Sequence, residues 1–180
     1  MGNADLPGTI LRLPMVYGPG DYQHCTFPYL KRTEDRRPVI LMEAGMAEWR
    51  WTKGYVGDVA HAIVLAITND RAKGRIYNVG EQEPLSEFEW VKAIGVAAGW
   101  QCEIVTLPND SLPKHLKAGI NTDQQLVIDT SRIRQELGNE ESDSREEALR
   151  RTITWERQNL PGEFNPEQFD YQAEDAILRN

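Results

Sequence analysis

Cysteine and histidine are scarce in this chain, with two and three residues in 180. Cys25 and Cys102 have no C-x-x-C spacing, which excludes a disulfide-stapled secreted framework and predicts reduced thiols in a cytoplasmic setting. His24, His61 and His115 are scattered without ligand spacing, so no metal site is expected. No apolar run reaches the roughly 20 residues that cross a bilayer, and no signal peptide opens the chain, so no membrane partner is expected. Positive charge is also short. Against 28 Asp and Glu stand 20 Lys and Arg, and the net charge of −8 argues against nucleic acid, whose phosphates need clustered cations. There is no G-x-G-x-x-G after a strand, no P-loop and no G-x-S-x-G elbow.

What is present is organised around Thr9–Asp21, TILRLPMVYGPGD. An apolar run ends at Pro14, which has no backbone donor, and Gly18-Pro19-Gly20 then forces a turn. This predicts a buried strand running into a loop, the place where open α/β sheets bind ligands. Gly18 and Gly20 permit positive φ and close backbone approach.

Further along, a short helix is expected from Phe27, with Pro28 in its first turn, and short strands over 38–42, 75–79, 103–107 and 126–128. Glu48–Lys53 alternates, which puts Trp49 and Trp51 on one strand face and Arg50 on the other. Arg50 is then a candidate for a phosphate or carboxylate. Residues 56–68 form the strongest helix, with Val59, Ala62, Ile63, Ala66 and Ile67 on one stripe and Asp58 as a candidate cap. Ser86–Glu89 and Ser144–Glu147 read as capping boxes opening two more helices, the first stopped by Gly99 and the second before Pro161. Thr130 or Asp129 caps a helix over 131–137. Residues 161–180 are acidic and weakly patterned, a docked or frayed tail beside the main unit of 1–160. The fold class is α/β. From the residues alone, a loop-built pocket is visible and a catalytic pair is not.

Four segments together resemble the carboxyl-terminal half of the extended short-chain dehydrogenase/reductases, the NAD-dependent epimerases and dehydratases. They are Leu11–Gly20, Arg50 with Val56 and Asp58–Ala60, Gly74–Gly80, and Asp129–Gly138 with the closing helix of Trp155. The resemblance covers about residues 8–160. It implies the last strands of a Rossmann-like parallel sheet with a small α/β substrate-binding domain, and NAD or NADP in the complete protein. It places Pro14, Met15 and Val16 beside the nicotinamide, Tyr17 at the substrate cleft and Arg50 on a substrate phosphate. Asp58 is implied to be structural. The family's glycine-rich loop and Tyr-x-x-x-Lys pair have no counterpart here, so tight cofactor binding and turnover by this chain alone are not expected. Trp51 stands where the family has an aspartate after the arginine, and Lys117-Ala-Gly119 replaces a second arginine. The substrate is thus a sugar nucleotide or a smaller alcohol or carbonyl compound. The alternative is a noncatalytic module whose partner supplies the dinucleotide half. A strand at 8–14 with one open edge leads to the expectation of a homo-oligomer, or of association with that half.

Overall fold

The computed structural model describes residues 7–100 and 103–179; Cys102 lies outside them. In chain order the elements are β1 (Ile10–Arg12), β2 (Met15–Tyr17), α1 (Phe27–Glu34), β3 (Val39–Glu43), α2 (Ala44–Glu48), β4 (Lys53–Tyr55), α3 (Val56–Thr68), β5 (Ile76–Asn78), α4 (Glu87–Ala98), β6 (Glu103–Leu107), α5 (Ser131–Leu137), α6 (Arg145–Gln158) and α7 (Tyr171–Leu178). The strands pair in parallel as β1 with β5, β2 with β4 and β3 with β6.

Pro14 does more than stop a strand. Because the ladder breaks there, one extended segment serves two sheets: Leu11 faces Tyr77 across β1–β5, and Tyr17 faces Tyr55 across β2–β4. The chain after β5 stitches the two together, since the Val79 amide donates to Arg12 O and the Glu81 amide to Lys53 O. Gly80 lies between these bonds at φ 155°, and a Cβ there would sit 2.5 Å from Thr52 Cγ2. Gly18 ends β2 at φ 136°, with a Cβ position 2.5 Å from Val56 Cγ1. Both positions need glycine for space as well as for φ.

Burial follows the apolar patterning in three clusters. Tyr17, Leu30, Trp90, Ile94, Leu149 and Ile153 join β2 to α1, α4 and α6. Val59, Ala62, Tyr77, Val79, Ile133 and Leu137 join α3, β5 and α5. Ile40, Met42, Ala47 and Val91 seat β3 on α4. The Ser86 capping box forms in full, with Glu89 N on Ser86 Oγ at 3.2 Å and Ser86 N on Glu89 Oε2 at 2.8 Å.

Four local expectations need correction. In α3, Val59 and Ala62 are buried, but Ile63 and Ile67 are exposed, because only one narrow stripe of this helix meets β5 and α5. Asp58 lies in the first turn instead of at the cap, which is Tyr55. Residues 126–128 make one bridge, Leu126 to Trp51, and no strand. At Trp49–Trp51 there are likewise only bridges, although the alternation holds: the indoles stack at 5.2 Å and Arg50 points away. Beyond α6, residues 166–169 form a 3-10 turn and α7 docks on α1.

Candidate functional site

Two recesses flank β2. Successive strand residues point to opposite faces, so Met15 and Tyr17 look one way while Val16 packs with the cluster of α3 and β5. Met15 borders the larger recess, a cavity of about 410 Å³ walled by β3, α1 and the first turn of α4. Tyr17 borders the smaller, about 310 Å³, lined by Asp58, Glu81, Glu141 and Arg145.

The floor of the larger cavity is a buried ionic cluster. Glu87 opens α4 and is 3 % exposed. Its Oε1 accepts from Tyr29 OH at 2.9 Å, and its Oε2 from Trp51 Nε1 at 2.7 Å and Lys53 Nζ at 3.1 Å. Lys53 is equally enclosed, with its ammonium over the Trp51 ring at 4.2 Å and the Trp90 ring at 4.8 Å. Burial pushes the Lys53 ammonium below its ordinary pKa, and Glu87 only partly offsets this. Burial and the Glu87 carboxylate hold the Tyr29 phenol well above its usual value. Cys25, also on this wall, has its thiol pushed up to about 12 by burial and by Asp21, so it is no nucleophile at neutral pH.

The smaller recess is wired differently. Tyr17 OH donates to Glu81 Oε1 at 2.8 Å, and Arg145 holds Glu81 Oε2 through Nε and Nη2 at 3.2 and 3.1 Å. Burial first, then the Glu81 charge, raise the Tyr17 phenol far above its ordinary range. Asp58 accepts from Ser142 N and Oγ, each at 2.8 Å. Burial would raise Glu141, but the Arg134 fork and the Gln82 amide outweigh it and lower the carboxyl. Trp90, which lines the larger cavity, links the two: Tyr17 of the smaller recess meets its ring edge-on at 4.8 Å, and the Lys53 ammonium lies 4.8 Å from the same ring.

Of the residues singled out in the sequence, Met15 is the one that lines the larger cavity; Pro14 and Val16 are half-buried beside it. Arg50 and Tyr17 are not brought together. Arg50 is exposed, with Nη1 on Pro84 O at 3.1 Å and Glu89 Oε2 at 3.0 Å. Sequence reasoning missed Lys53, Glu87 and Trp90. The alternation that paired Trp49 with Trp51 also places Lys53 on the same face, and that was the available signal.

Residues 2–80 match the model of the NAD dependent epimerase/dehydratase family. Over these residues, less than half of the chain, it is similar to that family. A dTDP-glucose 4,6-dehydratase of Streptomyces niveus is 27% identical over 153 residues, which is 83% of this chain and 42% of that protein. Two solved structures share the fold at a TM-score of 0.67. They are an epimerase of Methanothermobacter thermautotrophicus, with 19% identity over 87% of this chain and 45% of that one, and the UDP-glucuronic acid 4-epimerase of Bacillus cereus bound to UDP-glucuronic acid and NAD, with 20% identity over 87% and 47%. The chain thus spans less than half the length of these relatives. For a dinucleotide the fit is one-sided: half-buried Met15 gives the cavity an apolar edge, and the sequence holds no glycine-rich loop for a pyrophosphate.

Proposed function

We propose that this chain is the substrate-binding part of an NAD(P)-dependent epimerase or dehydratase acting on a sugar nucleotide or a smaller alcohol or carbonyl compound. The observation that carries this reading is Met15, at the start of β2, opening onto the cavity floored by Trp51, Trp90 and Glu87. When bound, the nicotinamide supplies the hydride acceptor. The chain's own residues do the rest. Pro14, Met15 and Val16 form the backbone run beside the ring, with the Met15 side chain toward the cavity. Trp51 and Trp90 give a sugar ring apolar surface along the cavity wall. Glu87, with three donors already in place, keeps acceptor capacity for one substrate hydroxyl. Tyr17 and Arg50 serve on the substrate side. Tyr17 acts through Trp90, and Arg50 by exchanging its half-exposed Glu89 partner for a substrate anion, a trade that costs little at a solvated pair.

Tryptophan fluorescence tests the site, because two indoles line it. Titration with dTDP-glucose, UDP-glucuronic acid and free sugars is expected to change the emission, and Trp51→Ala to remove most of the response. No response to any of them at millimolar concentration would overturn the reading. NAD and NADP are expected to show no micromolar binding to this chain by calorimetry; such binding would mean that the pyrophosphate is held by residues other than a glycine-rich loop.

Among the described residues β1 pairs only with β5, and Ile10 and Leu13 beside its other edge are exposed, as are Ile63, Val64 and Ile67 on α3. An open apolar edge recruits another strand. This supports association with a dinucleotide-binding half or with a second copy, as a catalytic or as a noncatalytic module. Sedimentation at micromolar concentration is expected to show self-association when no partner is present, and a clean monomer would count against it.

A further inference from the structure

We propose that Arg32, Arg37 and His115 form an oxyanion-binding subsite at one end of the larger cavity, filled in this structure by the carboxylate of Glu174. The subsite would take a phosphoryl or carboxylate group of the ligand; this rests on the reading of the cavity as the ligand site. Two arginines and a histidine, from α1, the residue run after it and the 114–116 turn, converge on Glu174. Arg32 Nη2 lies 2.7 Å and His115 Nε2 3.1 Å from its Oε1, and Arg37 Nη2 lies 4.0 Å from its Oε2. All four side chains are largely out of solvent, and Glu174 is 0 % exposed.

One carboxylate does not saturate this cradle. Glu174 Oε2 and Arg37 Nε are both buried and make no hydrogen bond. Arg32 keeps its place through a bond from Nη1 to Pro28 O at 3.0 Å, independent of Glu174. Arg32 and His115 both line the cavity, with Lys117 beside them, so the subsite opens into it. A phosphoryl group has three oxygens for such a fork and would satisfy groups that Glu174 leaves unmet.

The occupant is built to leave. Glu174 is the one buried residue of α7, so this helix docks through a charge instead of an apolar stripe. Its other anchors include Tyr171 OH on Asp35 at 2.5 Å, the Arg37–Asp175 pair and the Tyr171 ring, which lies 4.5 Å from the Arg37 guanidinium and 6.3 Å from the Phe169 ring. A ligand oxyanion entering the cradle takes over the partners of Glu174 and frees α7.

The test uses inorganic pyrophosphate and, separately, glucuronate as probes of the two anion chemistries, against sodium chloride at equal ionic strength. In the full chain, Glu174→Gln is expected to bind one of them about tenfold tighter than the wild type, since it removes a tethered competitor at millimolar effective concentration. Adding Arg32→Met should abolish the gain. Equal affinity of both proteins for both probes overturns the proposal. Should Glu174→Gln not fold, the wild type is read by limited proteolysis: pyrophosphate or glucuronate is expected to speed cleavage ahead of α7, and unchanged cleavage overturns the proposal. Anion binding without any response to sugars or sugar nucleotides would leave this subsite standing and remove only the substrate reading above.

Discussion

The two recesses beside β2 are joined by the contact of Tyr17 with Trp90 and otherwise differ in kind. In the smaller one nearly every charge is matched to a partner from another element: Glu81 to Tyr17 and Arg145, Asp58 to Ser142, and Glu141 to Arg134. Such closure makes it a joint that fastens the 139–145 loop to α3 and β5. The larger recess gathers its polarity in a floor cluster and at one end, around Arg32 and His115, and leaves aromatic and aliphatic surface between them. A matched polar network rigidifies, whereas an apolar hollow with a few fixed polar groups accommodates a ligand. Volume alone would not separate them.

The largest effect is expected at the floor of the hollow. Glu87→Ala leaves Lys53 buried without its carboxylate and should cost about 3–5 kcal/mol of unfolding free energy in urea titration. A loss below about 1 kcal/mol would show that water reaches the ammonium. Next, Tyr17→Phe removes one bond to a charged acceptor in the joint and should cost about 1.5–3 kcal/mol; a neutral result would mean that Arg145 alone suffices for Glu81.

Alkaline titration sharpens the contrast, because the two recesses respond with opposite sign. The Tyr17 phenol is raised in the folded state, so its contribution is present below the ordinary value of 10.0 and is lost as pH climbs above it. The Lys53 ammonium is lowered, so the folded protein gains relative to the unfolded chain as pH rises toward the ordinary 10.5. The deficit of Lys53→Met against wild type should therefore grow as pH rises toward 10.5, and that of Tyr17→Phe should shrink only once pH passes 10.0. Parallel slopes would contradict the assignment. The smallest effect is expected at Arg50. Its pair with Glu89 is about half exposed on both sides, and Arg50→Ala should change stability by about 0–1 kcal/mol.

Much of the frame was legible in sequence because it rests on local rules. The break at Pro14, the Ser86 capping box, the positive φ of Gly18 and the Trp49–Trp51 face each follow from one residue type at one spacing. The site was only partly legible. Met15 was named through the family resemblance, and it opens β2 on the cavity wall. Glu87 read as an ordinary first-turn acid, since its partners Tyr29, Trp51 and Lys53 are 34 to 58 residues away. The exposure of Ile63 and Ile67 was hidden for a related reason: periodicity marks an apolar stripe but not how wide a neighbour covers it. The docking of residues 166–178 combines the Glu174 charge with Phe169, whose ring meets Phe27 at 6.0 Å, and neither makes a periodic apolar stripe.

The seam at Leu13–Pro14 acts as a vernier between two independent rulers. β1 takes its alignment from Ile76–Asn78 and β2 from Lys53–Tyr55, and the two residues between them set the phase. Removing one of the two would keep β1 in register while turning β2 over. Val16 would then face the hollow and Met15 and Tyr17 the opposite cluster, exchanging the lining of both recesses without changing a single side chain.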